Sequence, residues 1–145
     1  MRIGAYFPED IDALNPINIE FLGNMGILRD NLVPEYSRTI FLDGPVAATG
    51  VIPLWAGVGQ GWLLIDEAAP HTVTLVRSLR RALREIARQG PFHRIQADVK
   101  RDFQMGIRAL LLGGFVDEGP MYAYTSEGVD YERLAYVDRD LLEIG

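Results

Sequence analysis

The strongest constraint on the fold is a change of apolar period in the middle of the chain. Leu75, Val76, Leu79, Ala82, Leu83, Ile86 and Ala87 recur at helical spacing, which places them on one stripe of a helix. Gln89-Gly90-Pro91 ends that helix with a glycine followed by a proline. From His93 to Val99 the period becomes that of a strand. Ile95, Ala97 and Val99 fall on one face, and Arg94, Gln96 and Asp98 on the other. A second helix follows, with Asp102 as its N-cap and Phe103, Ile107, Leu110 and Leu111 on its buried side. Gly113 or Gly114 ends it.

The flanking segments read mostly as strands. Phe7 to Leu14 reads as a short strand running into a helix start, with Pro8, Glu9 and Asp10 suited to a first turn. Asn15-Pro16 interrupts it, and Ile17 to Met25 reads as a further helical piece. Ser37 to Leu42 and Val46 to Leu54 read as strands joined by a tight Asp43-Gly44 turn. Trp55 to Gly61 reads as a glycine-rich connection, and Trp62 to Ile65 as a buried strand. The chain closes as a hairpin, Phe115 to Thr125 and Tyr131 to Val137, with its turn at Ser126-Glu127-Gly128. The order is helix, three strands, helix, strand, helix, two strands. It predicts a mixed α/β sheet with helices packed on its faces.

Composition narrows the chemistry. At 145 residues one domain over 1–145 is expected, and a core of this size needs neither disulfide nor metal. The absence of cysteine excludes thiol catalysis and cysteine-ligated metal, and two histidines make a histidine metal site a poor expectation, so no metal is expected. A net charge of −6 argues against general nucleic-acid binding. Met1 to Tyr6 lacks the apolar run of a signal peptide, and no stretch is long and apolar enough for a membrane span. A cytoplasmic protein, of a bacterium or of an infected host cell, is therefore expected.

The element order, with Gly113-Gly114-Phe115 closing the second helix and the Asp43-Gly44-Pro45 turn leading to Gly50, resembles the GNAT superfamily of N-acetyltransferases. The resemblance covers nearly the whole chain and is similar to that of small GNAT-like proteins of tailed phages. It implies a mixed, mainly antiparallel sheet of six to seven strands with helices on both faces. It also implies acetyl-CoA as donor and an amine as acceptor. By that resemblance Leu64, Ile65 and Asp66 would hold the pantetheine arm through their backbone. Thr72, Val73 and Thr74, at the start of the central helix, would meet the pyrophosphate, with Arg77 or His71 adding charge.

The matching loop, Asp66-Glu67-Ala68-Ala69-Pro70, departs from the family pattern. It has no glycine, brings two carboxylates and loses one N–H at Pro70, whereas phosphate cradles use free amides and close backbone approach. The family's acidic tyrosine is also missing, since Leu110 stands at its place and Phe103 or Asp102 at that of its asparagine. Glu67 and Asp98 are the carboxylates the resemblance favours as general base. Tyr122 and Tyr124, read as sharing one face of the last hairpin, are candidates for a substitute acid or a groove lining; aromatics on such strands also serve packing. Arg77, Arg80, Arg81, Arg84 and Arg88 form a basic face of the central helix, open to CoA phosphates, to a partner, to nucleic acid or simply to solvent. Two functional readings stay open: an acetyltransferase with a degenerate donor loop, or a non-catalytic, virion-associated docking module whose partners are phage structural proteins.

Overall fold

The computed structural model describes residues 1–15, 32–70, 73–90 and 92–140. Its elements are β1 (Arg2–Ala5), α1 (Pro8–Asp12), β2 (Ser37–Phe41), β3 (Pro45–Trp55), β4 (Val58–Ile65), α2 (Val73–Gln89), β5 (Arg94–Lys100), α3 (Gln104–Leu112), β6 (Val116–Met121) and β7 (Tyr131–Val137), with a short 3₁₀ turn at Pro34–Tyr36. The strands form one seven-stranded sheet in the order β1-β2-β3-β4-β5-β7-β6. Every neighbouring pair is antiparallel except β4 and β5. The element order predicts a mixed sheet with helices on its faces, and the resemblance implies a mainly antiparallel one of six to seven strands, as found.

Alternation along the strands sends each apolar set to its own layer. On β3 and β4, Ala47 and Ile65 pack with Leu75, Leu79 and Ala82 of α2. Their neighbours Ala48 and Leu64 pack with Tyr6, Ile11 and Leu14 around α1, on the opposite face. The α2 layer continues through Ile86, Val51 and Phe92 to Ile95, Leu134 and Ile107 of α3. The helical stripe and the β5 alternation therefore meet in one core.

The parallel β4–β5 contact is brief. It pairs Val58 with Arg94, Gly59 with Ile95 and Gln60 with Gln96, and then ends. Gly57 anchors it, because its carbonyl accepts from the amides of His93 (2.9 Å) and Arg94 (3.1 Å). Only glycine suits that position, where φ is +76° and a Cβ would lie 2.3 Å from His93 Nδ1. Beyond Gln60, β4 keeps its partner β3 while β5 keeps β7, and the two strands part.

Several boundaries differ from the sequence reading. β1 was not expected; it pairs Ile3 with Ile40 at the sheet edge. The expected glycine-rich connection is a two-residue turn, and Gly59, Gln60 and Gly61 belong to β4. Phe103, and not Asp102, precedes α3, and Asp102 is instead 3.8 Å from Lys100. β6 ends at Met121, so Tyr122 and Tyr124 lie in the connection and do not share a strand face. The helical piece expected at Ile17 to Met25 lies outside the described residues.

The strand glycines are packing devices. A Cβ on Gly59 would stand 2.1 Å from Cγ1 of the fully buried Val51 and 3.2 Å from the Phe92 ring. Gly59→Ala is expected to destabilise the fold by about 1–3 kcal/mol through overpacking. Urea unfolding should show a lower midpoint at unchanged slope, and an unchanged midpoint would contradict this packing.

Candidate active site

Where β4 and β5 part, a cavity of about 710 Å³ opens. Gln60 to Leu63 of β4 and Ala97 to Val99 of β5 line it, with Val76, Leu79, Arg80 and Leu83 from α2 and Gly106 and Leu110 from α3. Tyr124 to Glu127, from the β6–β7 connection, close one side. A mostly apolar cleft with a few convergent polar groups is the usual form of a small-molecule site.

Asp98 is the focus of the polar groups. Its Oδ1 accepts from Arg133 Nε at 2.7 Å and its Oδ2 from the Tyr124 hydroxyl at 2.8 Å. The carboxylate is thus held from both sides, with its side chain 12% exposed. Register explains Arg133, which stands opposite Asp98 across β5 and β7. Tyr124 is turned inward by the connection itself. The Ala123 amide donates to Asp130 Oδ1 (2.8 Å), Ala123 sits at φ +50°, and the Tyr124 amide donates to the Val129 carbonyl (2.9 Å). Burial, and then the hydrogen bond to Asp98, raises the Tyr124 pKa above the ordinary phenol value. The hydroxyl stays protonated and can serve as a proton donor.

A polar ladder continues on the same face of the sheet. Gln96 Nε2 donates to Gln60 Oε1 at 3.3 Å, across the last parallel pair before the strands separate. Arg94 donates to Gln96 Oε1 (3.2 Å) and, through both terminal nitrogens, to the two oxygens of Glu118 (2.8 and 2.5 Å). The guanidinium holds the Glu118 carboxyl below its usual range. This fork ties β5 to β6.

The other expected site residues are scattered. Tyr122 is 70% exposed and rests against Arg101. The side chains of Leu64 and Ile65 point into the two cores, and the β4 wall of the cavity ends at Leu63. Val73 is exposed, while Thr74 and Arg77 line a separate outer hollow with Met1, Arg2 and Arg81. Thr72 and His71 lie outside the described residues. Glu67 is exposed and away from the cavity wall. The structure brings Asp98 and Tyr124 together and leaves Glu67 and Tyr122 apart from them.

The loop before α2 is occupied by its own groups. Asp66 accepts from the Asn15 amide (2.7 Å) and the Ala68 amide (2.9 Å). The Glu67 amide donates to the Asn15 carbonyl (2.9 Å) and the Ala69 amide to the Asp66 carbonyl (3.0 Å). The two amides on its carboxylate lower the pKa of Asp66. Three consecutive N–H groups that could otherwise face an anion are already used. Among the described residues no cluster of histidine, aspartate and glutamate could hold a metal, and no helix is long and apolar enough to cross a membrane.

Gln60 and Arg133 were missed by the sequence reading, which took Arg80 as one of five arginines on a basic face and did not set it apart from the others. For Arg80 a signal exists: with Val76, Leu79 and Leu83 it completes the i, i+3, i+4, i+7 set facing the cavity. Arg133 carries no such signal, because its role depends on strand register.

No protein-family model and no curated protein matches the sequence. Solved structures do match the fold. A GNAT-family acetyltransferase from Streptococcus pneumoniae superposes with a TM-score of 0.72 at 15% identity, over 94% of this chain and 98% of that one. A ribosomal-protein-alanine N-acetyltransferase from Brucella melitensis gives 0.72 at 15% identity, over 94% and 99%. A GNAT-family acetyltransferase from Bacillus anthracis gives 0.72 at 12% identity, over 93% of each chain. At such identities the likeness speaks to architecture alone, and with the parting of β4 and β5 it establishes that this chain has the fold of the GNAT acetyltransferases.

Proposed function

We propose that the chain is an N-acetyltransferase that takes acetyl-CoA into the cleft between β4 and β5 and delivers the acetyl group to an amine. One observation carries the reading: a fixed carboxylate and a protonated phenol converge, 2.8 Å apart, on the wall of an apolar cavity at the point of strand divergence. The walls contributed by Val76, Leu79, Leu83 and Gly61 fit an uncharged pantetheine arm. In the loop before α2 the Glu67, Ala68 and Ala69 amides are used internally and are withdrawn from any pyrophosphate. In this reading 1–145 acts as a single domain.

The thioester supplies the acetyl group. Asp98 orients the neutral amine and takes a proton from its nitrogen as the nitrogen–carbon bond forms. Tyr124 gives its hydroxyl proton to the sulfur as the carbon–sulfur bond breaks. The proton on Asp98 then passes along the hydrogen bond to Tyr124, which restores both groups and leaves amide and thiol as products. Arg133 positions the carboxylate throughout. Glu67 and Tyr122 have no part in these steps.

A second reading, a non-catalytic docking module of a phage particle, is favoured by the internally satisfied loop. It predicts stoichiometric presence of the protein in purified virions, and absence from them would dismiss it.

Calorimetry with acetyl-CoA is expected to show saturable binding, and an amine panel with thiol detection should show turnover. No binding at millimolar acetyl-CoA would overturn the acetyltransferase reading. Asp98→Asn should lower kcat/KM by about 10²-fold or more, the usual worth of a general base, while acetyl-CoA affinity stays within about twofold. Unchanged turnover would remove Asp98 from the mechanism.

The loop gives a pH prediction. Asp66 has a lowered pKa in the folded state, so its ion favours folding above the unfolded carboxylate value, and that contribution is lost as pH falls through the folded value. Asp66→Asn should therefore be less stable than the parent chain at neutral pH and converge with it in acid. Equal melting temperatures at neutral pH would contradict the role of Asp66 as the loop's own anion.

A further inference from the structure

Arg80 is the only cation on the cavity wall among the described residues. The other arginines of α2, Arg77, Arg81, Arg84 and Arg88, are exposed. Arg80 is half-buried, and its Nε is buried without a hydrogen-bond partner among the described residues. Its neighbours on that face of the helix are Val76, Leu79 and Leu83, none of which can accept a hydrogen bond. A buried guanidinium nitrogen beside apolar side chains is costly unless an anion meets it.

The carboxylates that share the wall are committed elsewhere. Asp98 is bound by Arg133 and Tyr124. Glu127 is held below its usual range by hydrogen bonds from its own amide and from Ser126 and Thr125, in the β6–β7 connection. Helical side chains lean toward the N-terminus, so the Arg80 guanidinium covers the turn of Val76, close to the start of α2. Arg80 thus lines the cavity from the N-terminal half of α2, while the Glu67, Ala68 and Ala69 amides of the preceding loop are held by Asn15 and Asp66.

We infer that Arg80 is the anion-recognising residue of this cavity, and that a phosphate or carboxylate of the bound substrate pairs with it in place of the loop amides. The inference rests on the acetyl-transfer reading and adds a substrate requirement: donor or acceptor must present an oxyanion along α2. A guanidinium meets either group bidentately, which a lysine cannot reproduce.

The test compares acetyl-CoA with S-acetylpantetheine, which carries the same thioester without phosphates, by calorimetry on the parent chain, Arg80→Gln and Arg80→Lys. Melting temperature serves as the folding control. If Arg80 meets the donor phosphate, Arg80→Gln should weaken acetyl-CoA at least tenfold and leave S-acetylpantetheine unchanged, with Arg80→Lys between them. If it meets an acceptor carboxylate, both thioesters should bind Arg80→Gln normally, and KM for carboxylate-bearing amines should rise at least tenfold against that for plain amines. Folded Arg80→Gln with unchanged donor affinities and unchanged acceptor KM would overturn the inference alone. Failure of the parent chain to bind either thioester would overturn the acetyl-transfer reading and this inference with it.

Discussion

The rest of the site depends on how little β4 and β5 touch. Parallel strands usually continue side by side, but here three residue pairs hold them before they separate. The anchor is the Gly57 carbonyl, which accepts from the first two amides leading into β5. A second lock lies across β5, where the Asp138 amide donates to the His93 carbonyl at 2.8 Å and fixes the end of β7. With the start of β5 pinned on both sides, β4 follows β3 and β5 follows β7 beyond the contact. The gap between them becomes a cavity walled by strand edges and two helices.

That geometry sorts the side chains. The face of β5 that packs on α2 and α3 carries Ile95, Ala97 and Val99, so it builds the core and the apolar wall. The opposite face carries Gln96 and Asp98, which meet polar partners from β4, β7 and the β6–β7 connection. Coulomb interactions there are stronger than on an open surface because the neighbouring walls are apolar. The result is a carboxylate with one orientation beside a phenol kept protonated. Both groups are oriented before any substrate arrives.

Local pattern made much of this legible. The α2 stripe, the β5 alternation and the place of Asp98 on the polar face follow from spacing alone. The pairing of Asp98 with Tyr124 does not, because it depends on the β5–β7 register and on a left-handed residue at Ala123. β1 escaped notice since four residues with a glycine carry no clear period, and its pairing to β2 is a tertiary effect. The glycines of β4 were misread for a related reason. The space of their missing side chains is taken by Val51 and Phe92 at Gly59 and by Ile95 at Gly61, residues distant in sequence. The lack of glycine in the loop before α2 was visible in the residues. What the loop does with its amides was not.

The central claim is that the cleft between the separating strands receives the acetyl donor. Amide chemical-shift mapping during an acetyl-CoA titration tests it most directly. The account predicts the largest shifts at Gly61 to Leu63, Ala97 to Val99 and the Arg80 turn of α2. Shifts confined to the outer hollow around Thr74, Arg77 and Arg81, or none at saturating ligand, would contradict it.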